Sequence, residues 1–212
     1  MKLKESLLFL QGAFKDLHEV GSVIPSSKAV ARAMTAALRK KSPPRRILEV
    51  GAGTGPITAR IVHEMTAADR LDIYEINPKF SRFLADRFAS EPAFQRVSEQ
   101  TTIYTAGIET IERVPTYDII ISAIPFTNFP PSDVAEFFET YRDILQEDGV
   151  LTYIEFAFGR TIMRRLAKGS EKERLEKLEH LLRRYQQSYR VRAQFVPFNA
   201  PPARIHSLRF DR

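Results

Sequence analysis

The 212-residue sequence predicts an α/β fold: a mostly parallel, seven-stranded sheet with helices on both faces, preceded by an N-terminal helical extension. Three observations predict it. From residue 45 onward, short apolar runs alternate with segments of helical period, the pattern of a parallel sheet whose crossovers are helices. The run Ile47–Val50 leads directly into three glycines two residues apart, Gly51, Gly53 and Gly55. The run Ile119–Ile121 is apolar without alternation, as expected of a strand covered on both faces.

The elements follow in order. Leu3, Leu7, Leu10, Phe14 and Leu17 form one stripe at helical spacing, with Lys2, Lys4 and Lys15 mostly off it. That is the pattern of a helix packed on the domain or lying in a membrane surface. Ser26 or Ser27 can cap a helix over 28–40, and Ser42-Pro43-Pro44 breaks the chain. Residues 1–44 are therefore expected to be an extension able to cover a ligand site, and 45–212 the main domain. Within it the pattern predicts strand 47–50, helix 57–66, strand 71–74 and helix 78–90, with Phe80, Phe83, Leu84 and Phe88 on one face. A strand over 101–105 and another over 117–123 come next. A helix capped by Ser132 then runs to about Gln146, Gly149 follows its end, and a fifth strand covers 150–158. A charged helical stretch over 160–187 is interrupted near Gly169-Ser170. Strands over 191–196 and 204–210 close the sheet around Asn199-Ala-Pro-Pro202.

Composition narrows the classes. The absence of cysteine excludes disulfides and thiolate metal sites and fits a cytosolic protein. The longest N-terminal apolar run, Leu7–Leu10, is too short to span a bilayer. Net charge is +6 but uneven: residues 1–46 carry +7, 47–158 carry −10, 159–192 carry +7 and 193–212 carry +2. Basic flanks around an acidic centre suit an anionic partner, nucleic acid or a membrane surface.

The chemistry-bearing residues cluster around the glycines. Glycine lets the backbone turn sharply and approach a ligand closely, and Pro56 suits the first turn of the next helix. Glu49 lies in the strand before the loop, and Glu75, followed by Ile76, ends the next strand, where an acid can accept hydrogen bonds from the hydroxyls of an adenosine ribose. The Gly-x-Gly-x-Gly spacing is tighter than the dinucleotide pattern, and Glu49 suits a cationic ligand better than a pyrophosphate. Here the chain resembles class I S-adenosylmethionine-dependent methyltransferases, with their Rossmann-like fold. The resemblance implies S-adenosylmethionine as cofactor, held by Glu49, Gly51, Ala52, Gly53, Thr54, Gly55, Glu75 and Ile76, with Gly107 and Ile108 along the adenine and Ser122 at the end of strand four.

Ser122-Ala-Ile-Pro125-Phe126 is similar to the Asn-Leu-Pro-Tyr motif of ribosomal RNA adenine dimethyltransferases, but Ser122 stands where their Asn accepts a hydrogen bond from the base. The resemblance to bacterial phospholipid N-methyltransferases is more complete. It rests on the amphipathic N-terminal stripe, Gly21–Ser27, Glu49–Gly55, Ser122–Pro130 and Asn199–Ala203. It implies methylation of phosphatidylethanolamine, and of its mono- and dimethyl forms, by a cytoplasmic protein held peripherally on the inner face of the membrane. The N-terminal helix and basic flanks would meet the anionic surface, and nucleic acid is not favoured. The candidates to accept a proton or shape the catalytic site are Glu155, His206, Tyr104 and Phe126, with His18 and Tyr153 as further options. Arg160, Arg164, Arg165 and Arg204 are the candidates for the lipid phosphate, and Pro125 and Phe126 for the headgroup. Two other readings stay open: a ribosomal RNA adenine N6-methyltransferase, and a non-catalytic module that docks on membrane or RNA.

Overall fold

A computed structural model describes residues 27–156, 169–199 and 201–210. The predicted N-terminal stripe, His18, Arg160, Arg164 and Arg165 lie outside the described residues. The strands are β1 (Arg46–Val50), β2 (Arg70–Tyr74), β3 (Thr101–Tyr104), β4 (Tyr117–Ser122), β5 (Leu145–Phe156), β6 (Arg190–Val196) and β7 (Ala203–Leu208). The helices are α1 (Lys28–Met34), α2 (Pro56–Glu64), α3 (Pro78–Ser90), α4 (Pro92–Gln95), α5 (Pro131–Ile144) and α6 (Ser170–Tyr189). The seven strands form one sheet in the order β3-β2-β1-β4-β5-β7-β6. The first five run parallel, while β7 is antiparallel to both β5 and β6. Between β1 and β4 the strand order reverses direction, which opens a crevice at the carboxyl ends of the strands.

The sheet separates two apolar layers. Ile47, Ile73, Ile119, Ile121 and Ile205 face α1, α2 and α3. Leu48, Ile120, Leu151, Tyr153 and Leu208 face α5 and α6. Each isoleucine fully removed from water here contributes about 1.5–3 kcal/mol relative to exposure. Residues Val30, Ala31, Ala33 and Met34 of α1 are buried in the first layer with Ile61, Val196 and Ile205.

Most predicted elements form close to their predicted limits, but β5 starts at Leu145 rather than at 150, directly after a helix that ends at Ile144, and four further differences are local. Ser27 caps α1, accepting from Val30 N–H at 3.3 Å, but the α-helical geometry ends at Met34. Just beyond, the Thr35 hydroxyl donates back to the Ala31 carbonyl at 2.9 Å. Phe83 is not on the buried face of α3 and is 48% exposed. The buried set is Phe80, Ser81, Leu84 and Phe88, so the apolar stripe drifts toward the side of Ser81. Ser132 does not cap α5: Pro131 occupies the first turn, where its missing N–H is harmless, and the cap is Pro130. After α5 the left-handed residue is Asp148, with φ 62°, rather than Gly149. Gly149 is required for space instead, since a Cβ there would lie 2.8 Å from the Gln146 carbonyl oxygen.

Candidate functional site

The carboxyl end of β1 enters a loop in which Gly51, Gly53 and Gly55 all have positive φ, at 75°, 57° and 81°. Only glycine adopts these angles without strain. The Gly51 N–H donates to the Tyr74 carbonyl at 2.8 Å, which ties the loop to β2. A Cβ on Gly55 would lie 2.6 Å from Leu84 Cδ2, so that glycine also lets α3 pack against the loop. A Cβ on Gly53 would meet nothing within 4 Å, so this part of the loop faces open space. Ala52 is buried and Thr54 half-buried beside it.

Two acids frame the loop. Glu75 is buried just beyond β2. Its Oε2 accepts from the Gly53 N–H at 2.8 Å and its Oε1 from the Asn77 N–H at 2.8 Å. Ile76 follows it, half-buried. Burial raises the Glu75 carboxyl above its ordinary range, although the amides of Asn77, Gly53 and Ile76 pull the other way. Glu49 is fully buried on the α2 side of the sheet, and neither of its oxygens has a hydrogen-bond partner. Its pKa is pushed up to about 8 by burial first and by the Glu75 carboxylate after it, with Thr58 acting in the opposite direction. The Thr58 hydroxyl is itself buried without completing a hydrogen bond.

These observations test the expected cofactor. An orphaned buried carboxylate is costly unless a cation or donor meets it. Here it stands below a glycine loop with an open side, next to a strand-end acid. The donor set fits a ligand with a cationic amino acid end and a ribose, as S-adenosylmethionine has. At the adenine position of the resemblance, Tyr104 stacks on Tyr74 with ring centroids 4.6 Å apart. Gly107 precedes a short 3-10 turn, and Ile108 is buried with Tyr74 in the α5-side layer.

At the end of β4 the picture is less open. Ser122 is fully buried on the α5 side, opposite Glu49, and its hydroxyl accepts from the Tyr141 hydroxyl at 3.0 Å. Pro125 leads into a 3-10 turn. Phe126 is buried there against Phe138, 5.3 Å away, and Tyr153, 5.4 Å away. Arg174 of α6 holds this turn, donating to the carbonyls of Phe129 at 2.8 Å and Thr127 at 2.9 Å.

The structure brings two separate sequence candidates together. Glu155 and His206 lie on β5 and β7, both buried, with His206 Nε2 3.3 Å from Glu155 Oε2. The Gln186 amide nitrogen also approaches Nε2, at 3.5 Å, while Nδ1 is buried and has no hydrogen-bond partner. The Tyr153 ring stacks on the imidazole at 5.2 Å. Gln186 of α6 donates to the Tyr153 hydroxyl at 2.8 Å and to Glu155 Oε1 at 3.0 Å. Register places this cluster at the crevice: Ser122 pairs with Tyr153, so Glu155 lies at the level of Ile124, which borders Gly51. Arg204 is exposed and pairs across the strands with Glu155.

Gln186, Arg174 and Tyr141 were not singled out from sequence. Each sits in an amphipathic helix whose composition is ordinary, and only tertiary packing gives it a role. Asn199 was singled out, but not for its bond: its Oδ1 accepts from the Ser27 N–H at 3.0 Å, joining the β6–β7 loop to the start of α1.

Comparison with known proteins agrees with the geometry. No family model matches the chain. It is 28% identical over 152 residues to an ornithine lipid N-methyltransferase of Singulisphaera acidiphila, covering 72% of this chain and 78% of that protein. It is 30% identical over 82 residues to a tRNA1(Val) (adenine(37)-N6)-methyltransferase of Aeromonas hydrophila, covering 39% of this chain and 33% of the relative. Among solved structures, a precorrin-6y C5,15-methyltransferase from Geobacter metallireducens superposes with a TM-score of 0.61 at 15% identity, covering 90% of this chain and 92% of the other. An O-methyltransferase from Thermotoga maritima superposes with a TM-score of 0.59 at 12% identity, covering 93% of this chain and 71% of the other. The fold is that of the class I methyltransferases, and the chain is an S-adenosylmethionine-dependent methyltransferase.

Proposed function

We propose that the methyl acceptor is the amine of a membrane lipid headgroup, phosphatidylethanolamine in the first instance, and that the product series runs toward phosphatidylcholine. The observation that carries this reading is the state of the β4 end. Ser122 is committed to Tyr141 and Phe126 is buried among aromatics. The two positions that would receive a flipped adenine are therefore occupied by core contacts, while a buried carboxylate–imidazole pair stands beside them. The relative matched over most of its length is a lipid N-methyltransferase, and its named substrate is also a lipid.

Glu49, the glycine loop and Glu75 would hold the cofactor. When bound, S-adenosylmethionine supplies a methyl group on a sulfonium, whose sulfur leaves as a neutral sulfide. The rest falls to this chain's side chains. A headgroup ammonium must lose a proton before its nitrogen can attack. His206 Nδ1 accepts that proton, and Glu155 stabilises the resulting imidazolium. Gln186 and Tyr153 hold the pair in place. Arg174 pins the turn that carries Phe126, which keeps an apolar wall along the acceptor path. Holding the nitrogen in line supplies roughly 7–11 kcal/mol of barrier lowering in well-oriented cases.

The test offers labelled S-adenosylmethionine to phosphatidylethanolamine vesicles, ornithine lipid vesicles and ribosomal RNA in parallel. Label is expected in the phosphatidylethanolamine extract. Label confined to ornithine lipid would move the acceptor to another lipid amine, and label confined to RNA would overturn the reading.

A further inference from the structure

The β6–β7 hairpin presents an apolar surface to solvent at the same end of the sheet as the cofactor loop. Phe198 is 86% exposed and Phe195 is 51% exposed there, while Val191, 58% exposed, lies at the far end of β6. These are three of the six large hydrophobic residues exposed among the described residues. Phe198 lies in the loop between the strands. Phe195 pairs across the hairpin with exposed Arg204. Because Ala203 pairs with Phe156, the last residue of β5, the loop lies at the carboxyl edge of the parallel strands. The Asn199–Ser27 bond brings the start of α1, with exposed Lys28, to the same edge.

The surrounding charge is of one sign. Residues 190–210 contain four arginines and no acid. Between α1 and the other face of β6 lies a groove of about 480 Å³ lined by Lys28, Arg32, Arg39 and Arg192. Arg39 is paired with Glu64, and Arg192 donates to the Gln194 amide oxygen. Exposed aromatics at the open end of the hairpin, near Lys28, Arg32, Arg192 and Arg204, which form no ion pair among the described residues, match the interface of an anionic bilayer, where rings sit among headgroups and cations meet lipid phosphates.

We propose that the open end of the β6–β7 hairpin is a membrane-docking surface. Phe198 and Phe195 enter the headgroup layer, and Lys28, Arg32, Arg192 and Arg204 hold anionic lipids around them. The inference rests on the lipid reading above and deepens it, because docking here turns the cofactor crevice toward the layer that holds the acceptor.

The experiment is flotation of the full chain with phosphatidylglycerol-rich vesicles and with pure phosphatidylcholine vesicles. Wild type should float with the first and much less with the second. Phe198→Glu should lower the floated fraction about tenfold, Phe198→Ser should lower it less, and Lys28→Glu with Arg32→Glu should abolish the preference for anionic lipid. Unchanged cofactor affinity in each variant shows that it is folded. Turnover on detergent-dispersed phosphatidylethanolamine separates the two readings. Loss of flotation in Phe198→Glu with wild-type turnover on the dispersed lipid supports docking. Phe198-dependent flotation by a wild type that methylates no lipid supports docking while overturning the proposed substrate. Flotation of Phe198→Glu equal to wild type overturns docking, as does a dimer that Phe198→Glu dissociates without any change in flotation.

Discussion

At the amino ends of the strands, Arg45 and Asp69 are buried together; at the carboxyl ends, Glu49 is buried alone. Asp69 accepts from the Arg45 amide at 2.8 Å, from its Nε at 3.0 Å and its terminal nitrogen at 2.6 Å, and from the Thr66 amide at 2.7 Å and hydroxyl at 3.0 Å. Arg45 also donates to the carbonyls of Leu38 and Glu64, so one side chain joins the chain after α1 to the end of α2. Burial alone would raise the Asp69 carboxyl, but Arg45 and Thr66 outweigh it and hold it below the ordinary range. At the other end, burial raises Glu49 to about 8 with no cation to oppose it. Both ends bury an ionisable group. One end satisfies it from within the fold, and the other leaves both oxygens without a partner. A satisfied buried ion is a structural joint, and an unsatisfied one beside a glycine loop marks a binding site.

That contrast can be broken at either end. Replacing Arg45 with Met strips the buried Asp69 of its main partner and should cost about 3–5 kcal/mol of stability. Chemical denaturation measures this, and cofactor affinity of the folded fraction should stay at the wild-type value. An effect below 1 kcal/mol would show that the amino end is not a structural joint.

At the carboxyl end the largest effect should be catalytic. His206→Asn should lower kcat about 100-fold, in the usual range for a lost general base, with KM for the lipid nearly unchanged. Loss of kcat below tenfold, or an equal loss of cofactor affinity, would reduce His206 to a packing role beside Tyr153.

Glu49 carries an opposite sign of pH dependence from Asp69. In the folded, cofactor-free protein Glu49 keeps a proton up to about pH 8. The unfolded chain releases it near the ordinary glutamate value, about 4.3. The folded state therefore binds more protons between those values, and stability falls as pH rises through that window. Glu49→Gln should flatten this slope, as followed by denaturant midpoints from pH 5 to 8, and should weaken cofactor binding about tenfold by calorimetry. Asp69 contributes in the other direction: its stabilisation is present above the ordinary aspartate value and is lost as pH falls below it.

Much of this architecture was legible before any coordinates. The β1–loop–α2 unit, Glu49 and Glu75 were readable because strand period, glycine spacing and strand-end position are local properties. The limits of α1 and α5 were less so. Thr35 bonds back to the helix carbonyls and Pro131 brings a first turn that needs no cap, neither of which periodicity registers. Phe83 was misplaced because the stripe on α3 drifts toward one side, which is decided by what packs on it.

The sequence by itself determined a parallel α/β sheet, a glycine loop at the end of its first strand, and the two acids that flank that loop. Tertiary structure alone decided that Glu155 and His206 meet, that Gln186 joins them, and that Ser122 turns away to Tyr141. The reason is register. Glu155 and His206 are brought together by the antiparallel pairing of β5 with β7, where Tyr153 stands opposite His206. A shift of one residue would turn His206 to the other face of the sheet. Periodicity along the chain defines which residues share a face; only the pairing between strands defines which of them touch.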